Sequence, residues 1–162
     1  MKESKIRQSF NLKRAILETQ YRTEKGPLFV ANTHLSAFSY KDGTQHKQVQ
    51  QIQDWIAARP VGSRWIVAGD FNLLPLSDNP QRLLTPEQYH EEEKNPLHQL
   101  IPKYKHVFTQ NEPTYLPFGH SRPDRKIDFI IYSDGLCVNE ARVFNDIQLS
   151  DHLPLWANFS LI

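Results

Sequence analysis

One short stretch constrains the fold more than any other: residues 66–68, an uncharged apolar run, followed by Gly69-Asp70-Phe71-Asn72. Such a run is typical of a buried strand. On an extended backbone successive side chains alternate, so Asp70 and Asn72 point the same way while Phe71 turns into the core. Gly69 permits a close approach of another segment. The pattern predicts that Asp70 and Asn72 share a ligand; the alternative is a plain turn made by two Asx residues.

A β-hairpin is predicted upstream of this strand. Residues 12–21 and the run Leu28-Phe29-Val30-Ala31 are separated by a turn that contains Gly26-Pro27. The second strand continues into Asn32-Thr33-His34-Leu35, which places His34 at or just beyond a strand end. A histidine there either makes a structural hydrogen bond or takes part in chemistry.

An amphipathic helix is predicted between the two strands. Val49, Ile52 and Ile56 recur at helical spacing over about four turns, and Pro60 follows. Strand, helix and strand in this order favour an α/β layered arrangement. The remaining side chains of the helix are interpreted as a solvated face: Gln45, Lys47, Gln48, Gln50, Gln51 and Gln53.

The region from residue 73 to residue 125 is rich in proline and polar residues. Capping patterns at Thr85-Pro86-Glu87-Gln88 and at Asn95-Pro96 predict two short helices. Residues 115–125 combine aromatic residues with arginines, so Tyr115 and Arg122 are predicted to contact an anionic or ring-bearing substrate. The alternative is a proline-stiffened loop that lies over a sheet edge.

Three more strands are predicted near the end of the sequence, at residues 126–133, 137–144 and 156–159. Asp128 is embedded among apolar residues, and a buried carboxylate is costly unless it is paired, so Asp128 should have a partner. Asp151 and His152 are flanked by leucines just before the last strand, which makes them candidates for a functional site.

Composition indicates an ordinary globular protein. With 162 residues, 39% of them hydrophobic and 23% charged, the chain fits a single domain. A formal charge of +1 does not point to a nucleic-acid binder. No signal peptide or membrane-spanning run is present in the sequence, and a cytoplasmic location is the resulting expectation. Cys137 lies between Leu136 and Val138 and is predicted to be a buried structural thiol.

The polar residues at the predicted strand ends suit phosphate-ester chemistry. Carboxylate and amide oxygens favour a hard cation such as Mg²⁺, and histidine and asparagine can hydrogen-bond phosphoryl oxygens. Hydrolysis by activated water needs a base, a cation and a donor for the leaving oxygen. A zinc site is less favoured because the sequence has no cysteine cluster or HExxH motif. The candidates are His34, Asp70, Asn72, Asp128, Asp151 and His152.

Four ordered motifs resemble those of the endonuclease/exonuclease/phosphatase (DNase I-like) superfamily: Asn32-Thr33-His34-Leu35, Gly69-Asp70-Phe71-Asn72, Arg125-Lys126-Ile127-Asp128-Phe129-Ile130 and Ser150-Asp151-His152-Leu153-Pro154. The resemblance implies a metal-dependent phosphoesterase that uses Mg²⁺, or Mn²⁺ in its place. Its substrate would be nucleic acid, phospholipid or inositol phosphate. The implied fold is α/β (α+β): half of a four-layer α/β/β/α sandwich, with a mainly antiparallel or mixed sheet and flanking helices.

The resemblance also implies a role for each residue. His34 would contact the scissile phosphate, Asp70 would orient or deprotonate the attacking water, and Asn72 would hold Asp70 and the phosphate. Asp151 would bind the metal ion. His152 would stabilise the transition state, and Asp128 would hydrogen-bond His152. Asn32 is assigned a supporting, substrate-binding role.

The sequence departs from the family at its N-terminal side. Family members carry an early asparagine and a glutamate that is the principal Mg²⁺ ligand, and no residue before Leu12 resembles either. Residues 1–162 are therefore expected to form one domain, the C-terminal portion of the family's domain, without its N-terminal metal-binding portion. The competing hypothesis is a catalytically incomplete half-domain that serves as a structural or interaction module. It would be homodimeric or complemented by an N-terminal segment.

Overall fold

The computed structural model describes residues 14–37, 41–83, 86–107, 112–146 and 149–162. These residues form seven strands and one α-helix. In chain order they are β1 (Ile16–Thr23), β2 (Gly26–His34), α1 (Thr44–Ala57), β3 (Arg64–Asp70), β4 (Lys105–Val107), β5 (Asp128–Tyr132), β6 (Leu136–Val143) and β7 (Leu155–Leu161).

The larger sheet is mixed and has the strand order β1-β2-β3-β5-β4. β1 and β2 form the predicted hairpin, and the residue that turns the chain is Gly26 with φ 97°. β2 and β3 are parallel because α1 carries the chain back across the sheet between them. β5 is antiparallel to β3, and β6 and β7 form a separate two-stranded sheet. The α+β class and the mixed sheet with few helices agree with the sequence-based prediction.

The hydrophobic core lies between α1 and one face of the larger sheet. Alternate residues of β2, Phe29 and Ala31, face α1 and are buried. The helix contributes Val49, Ile52 and Ile56, the residues whose spacing predicted it. Because this face is packed, the strands are held rigidly and their ends can position polar side chains.

The opposite face of the larger sheet is less covered. Leu17 and Tyr21 point to this side of β1, and their exposed fractions are 70% and 54%. The smaller sheet covers part of the face, where the ring of Phe159 contacts the ring of Tyr132 at 5.1 Å between centroids.

The polar segment between β3 and β4 contains four short turns of 3₁₀ helix: Pro80–Arg82, Pro86–Gln88, Glu92–Lys94 and Pro96–Gln99. Both predicted short helices are present in this form. Asn95 caps the last one, because its side chain accepts a hydrogen bond from the backbone N–H of Leu97. Two residues named in the predictions, Leu12 and Thr85, lie outside the described residues.

Two sequence-based expectations are wrong. Cys137 is exposed, because the alternation along β6 turns its neighbour Leu136 inward, where it is 1% exposed. Gln45, assigned to a solvated helix face, is also 1% exposed, because loops from elsewhere in the chain cover the first turn of α1. Among the described residues, no helix is both long and apolar enough to cross a bilayer.

Candidate active site

Three of the predicted side chains lie in one row across the larger sheet. His34 at the end of β2 is the register partner of Asp70 at the end of β3, and Asp70 is the partner of Asp128 at the start of β5. Residues paired directly across strands point to the same face and lie close together. The order of the strands therefore brings an imidazole and two carboxylates to one edge of the sheet.

Asp70 and Asn72 form a tight turn at the end of β3. The backbone N–H of Asn72 donates to Asp70 Oδ1 at 2.8 Å, and Asn72 Nδ2 donates to Asp70 Oδ2 at 3.0 Å. Asn72 has φ 50°, a left-handed conformation that asparagine adopts more readily than most residues. The structure thus contains the Asx turn, which was one of the two alternatives from the sequence, and this turn aims the carboxylate. That the two side chains share a ligand stays a prediction.

Asp70 is held by donors in a largely desolvated position. Besides the two bonds from Asn72, its Oδ2 lies 3.2 Å from His34 Nε2 and 3.8 Å from His152 Nε2. Burial, and to a lesser extent the negative charge of Asp128, raise the pKa of Asp70 to about 6, and the bond from the Asn72 backbone opposes both. A carboxyl group with this pKa is ionised at neutral pH and still able to accept a proton, as a general base requires.

Asp128 and His152 form a hydrogen-bonded pair beside Asp70. His152 Nδ1 lies 3.0 Å from Asp128 Oδ2, which also accepts a bond from Thr114 Oγ1 at 2.6 Å. The prediction that Asp128 has a partner is confirmed. The hydrogen bond to Asp128 raises the pKa of His152, against the opposing effect of burial. This arrangement favours the imidazolium form, with Nε2–H directed towards the carboxylate of Asp70.

His152 reaches this position because its loop is tied to residues 114–116. Leu116 N–H donates to the carbonyl of Asp151 at 2.7 Å, and Leu153 N–H donates to the carbonyl of Thr114 at 2.8 Å. The ring of Tyr115 contacts the imidazole of His152 edge-on, with 5.1 Å between centroids. Tyr115 therefore supports the imidazole as well as facing the cavity.

Arg14 adds a cation that the sequence analysis did not identify. It lines the same cavity as His34 and Asp70, and its Nε is buried without a hydrogen-bond partner among the described residues. Burial lowers the pKa of His34, and the positive charges of Arg14 and His152 lower it further. The lowered pKa favours the neutral form of the His34 ring, whose Nε2 lies 3.2 Å from Asp70 Oδ2. No sequence motif identifies Arg14. It precedes β1, and only the strand order β1-β2-β3 brings it to the same cavity as Asp70.

The cavity has a volume of about 350 Å³ and a wall built from aromatic rings and a guanidinium. Arg125 is 4% exposed, and its guanidinium lies 5.5 Å from the ring centroids of both Tyr89 and Tyr115. It donates to both carboxylate oxygens of Asp124, at 2.7 and 2.9 Å, and to the hydroxyl of Tyr89 at 3.1 Å. Lining residues include Arg14, His34, Asp70, Asn72, Tyr89, Tyr115, Arg125, Asp151 and His152.

Two predicted substrate-binding residues lie away from this cavity. Arg122 is exposed in a bend and is not among the lining residues, and Arg125 occupies the cavity wall in its place. Asn32 lines a separate groove on the less covered face of the sheet, together with Asp128 and Leu153. Tyr115 is the one of the three that the structure places in the cavity.

The carboxylates present fit a hard divalent cation, with Asp151 as the most available ligand. Asp70, Asp128 and His152 offer ligand atoms that all lie within 4.8 Å of one another. Each of these side chains already has hydrogen-bond partners in the protein. Asp151 lines the cavity and is exposed, so its oxygen atoms can bind a cation that keeps several waters, as Mg²⁺ does.

The comparisons with known proteins agree with this geometry. A sequence profile of the Endonuclease/Exonuclease/phosphatase family matches residues 3–152. No curated protein sequence matches the chain. Among solved structures, the chain is similar to an endonuclease/exonuclease/phosphatase from Beutenbergia cavernae, with 21% identity, a TM-score of 0.67, and coverage of 93% of this chain and 40% of that one.

Two further similar structures have different reported activities. One is a mannosyl-6-phosphatase from Bacteroides thetaiotaomicron, with 16% identity, a TM-score of 0.60, and coverage of 83% of this chain and 52% of that one. The other is an AP endonuclease from Archaeoglobus fulgidus, with 17% identity, a TM-score of 0.65, and coverage of 89% and 65%. The chain thus spans 40% to 65% of the length of the three structures. On the profile match, this chain belongs to the endonuclease/exonuclease/phosphatase family.

Proposed function

We propose that this chain hydrolyses a phosphate ester with an activated water molecule, in the presence of a divalent metal ion. The observation that carries the proposal is the convergence of Asp70, His34 and His152 in one cavity, with Asp128 hydrogen-bonded to His152 from behind. The family's fold serves phosphoester chemistry, and its enzymes generally depend on divalent metals.

The proposed roles follow from the protonation state and the position of each group. Asp70, ionised and aimed by Asn72, orients the attacking water and accepts its proton. His152, held as imidazolium by Asp128, donates from Nε2 to a phosphoryl oxygen, where negative charge builds up in the transition state. His34 donates to a second oxygen of the phosphate.

Charge in the cavity supports the binding of an anionic group. The guanidinium of Arg14 attracts the phosphate, and Tyr115 forms an apolar wall for the attached group. Asp151 would hold Mg²⁺ or Mn²⁺, which would neutralise charge on the phosphate and on the leaving oxygen. Whether the attached group is a nucleotide, a lipid or an inositol is decided by the assay described next. The proposed location is the cytoplasm.

The test is hydrolysis of bis(p-nitrophenyl) phosphate and p-nitrophenyl phosphate with Mg²⁺ or Mn²⁺, followed by DNA, sphingomyelin and inositol phosphates. We expect EDTA and Asp70→Asn each to abolish hydrolysis. Asp134→Asn is the matched control, because Asp134 is an exposed carboxylate paired with Lys105 away from the cavity. A folded wild-type chain that hydrolyses none of these esters with either metal would contradict the proposal.

A second candidate function, an interaction module, is favoured by one observation. Leu17 and Tyr21 are exposed on the same, less covered face of the larger sheet, on either side of Thr19, and apolar side chains exposed on a sheet face are found at interaction sites. A second copy of the chain, or another segment, would bind to this face. Such binding would either accompany catalysis or be the chain's function in place of catalysis.

A further inference from the structure

Gln45 is a fully buried polar side chain in the first turn of α1. It is 1% exposed and carries no charge, and its neighbours in sequence are polar and partly exposed. A carboxamide that is removed from water costs stability unless its donors and its acceptor are all satisfied. The partners of Gln45 therefore indicate what its burial achieves.

Three partners satisfy this carboxamide. Gln45 Nε2 donates to the carbonyl oxygen of Ser36 at 2.9 Å and to that of Asn72 at 3.0 Å. Its Oε1 lies 2.8 Å from Nε2 of His90. Because backbone carbonyls only accept hydrogen bonds, the amino group must face them and the oxygen must face His90. His90 therefore carries its proton on Nε2, and the orientation of the carboxamide is determined by its surroundings.

The two carbonyls belong to the two loops that carry candidate catalytic residues. Ser36 follows His34 by two positions, and Asn72 follows Asp70 by two positions. The loops also contact each other, since Leu35 N–H donates to the carbonyl of Asp70 at 2.8 Å and Asn72 Nδ2 donates to that of Leu35 at 3.1 Å. Gln45 joins both loops to α1, the helix packed in the core.

His90 ties this arrangement to the segment between β3 and β5. It is 6% exposed, and its ring contacts that of His46 at 5.2 Å between centroids. Burial, together with the charge of His46, lowers the pKa of His90 to about 4, so the ring is neutral at neutral pH. A neutral ring has one N–H, and that N–H is directed to Gln45.

We propose that Gln45 is a positioning residue: it holds the left-handed turn at Asn72, and through this turn the carboxylate of Asp70, at a fixed place relative to His34. His90 fixes the orientation of Gln45. The consequence for catalysis rests on the proposed phosphoesterase function, whereas the positional effect can be measured without any substrate.

The catalytic test compares Gln45→Met with Gln53→Met. Both remove a carboxamide from α1 at nearly constant volume. Gln53 is the matched control because its Nε2 donates to the carbonyl of Gln99, at 2.7 Å, away from the cavity. A displaced carboxylate loses the orientation needed for attack, so we expect Gln45→Met to lower kcat about 10- to 100-fold with little change in KM. Gln53→Met should keep kcat within about twofold.

The positional test uses NMR and needs no activity. In the wild-type chain, the side-chain N–H protons of Gln45 should exchange with water as slowly as buried backbone amides. In Gln45→Met the side-chain amide signals of Asn72 should shift, and in Gln53→Met they should not. If Gln45→Met does not fold, His90→Phe replaces it; this change removes the donor to Oε1 and should accelerate exchange of the Gln45 amide.

These outcomes separate the two proposals. A wild-type chain without hydrolytic activity contradicts the proposed function, and the NMR results then decide the role of Gln45 alone. Fast exchange of the Gln45 amide in the wild type would overturn the positioning role. Equal shifts of the Asn72 signals in Gln45→Met and Gln53→Met, or equal losses of kcat, would also overturn it, because they would indicate a general loss of stability.

Discussion

At the scale of single residues, Asp70 and His152 have pKa values raised for different physical reasons. Burial disfavours the charged form of Asp70, whereas the hydrogen bond to Asp128 favours the charged form of His152. Between the two pKa values, Asp70 is ionised while His152 is protonated. The site therefore holds a base and an acid in complementary states over one pH range.

Asp128→Asn tests this interpretation of His152. The substitution removes the negative partner that raises the pKa of His152, so the imidazolium should lose its proton at lower pH. We expect the alkaline limb of the kcat profile to move to lower pH. The acid limb, set by Asp70, should also move to lower pH but by less, because burial contributes more than the charge of Asp128 to the raised pKa of Asp70. An NMR titration of His152 checks the shift directly. The control, Asp54→Asn on the exposed side of α1, should leave both limbs unchanged, and an unchanged alkaline limb in Asp128→Asn would contradict the assignment.

Asp70 should also make stability depend on pH. Its folded-state pKa lies above the ordinary value of 3.8, so the folded chain binds this proton more tightly than the unfolded chain does. The contribution of Asp70 to the free energy of unfolding is therefore highest at low pH. It falls as the pH rises from about 4 to about 6 and stays lower above that range. The difference between 3.8 and about 6 corresponds to about 3 kcal/mol.

Asp70→Asn removes this pH dependence. Measured by urea unfolding in EDTA, the variant should gain stability relative to wild type at pH 8, by up to about 3 kcal/mol, and the gain should shrink towards pH 4. The exposed carboxylate of Asp134 serves again as the control, through Asp134→Asn. A stability difference that stays the same at both pH values would show that burial of the charge is not its cause.

At the scale of elements, β3 approaches β2 so closely that position 69 must be glycine. Gly69 has φ 144°, and a Cβ on it would collide with the carbonyl oxygen of Thr33 in β2. Both the backbone conformation and the contact therefore exclude a larger residue. The same close approach brings His34 opposite Asp70.

Gly69→Ala should destabilise the chain by about 2–4 kcal/mol, because β2 and β3 must move apart and the left-handed dihedral is strained. Gly62→Ala separates the two causes. Gly62 also has positive φ, 78°, but an added Cβ would meet no atom within 4 Å, so its cost should be about 1 kcal/mol. Urea unfolding of both variants gives the comparison, and equal losses would refute the role of the close approach.

The elements also show what the sequence could and could not predict. Six of the seven strands, the helix and the strand-end residues were predictable because periodicity and turn residues are local signals. β4 was not, because its three residues, Lys105–Val107, are too few to show a periodic pattern. Gln45 was not, since it resembles five other polar residues of the same helix, and loops from distant parts of the chain bury it. The sequence analysis predicted a substrate contact for Arg122 and not for Arg125. Only the folded chain shows that Arg125 is the arginine that lies between Tyr89 and Tyr115.

At the scale of the whole molecule, the two faces of the larger sheet differ. One face packs against α1 and is dry, whereas the other carries Leu17 and Tyr21 in contact with water. The formal charge of +1 gives little long-range repulsion between copies of the chain. If the second proposed function holds, we expect association of the chain to use this face.

The variant Leu17→Ser with Tyr21→Ser should therefore reduce association of the chain, measured by light scattering over a range of concentrations. Its Tm should change little, because both side chains are largely exposed already. Val61→Ser is the control: Val61 is a fully exposed apolar residue in the turn after α1 and lies outside the sheet, so its loss should not alter association. A wild-type chain that stays monomeric at every concentration would exclude self-association through this face.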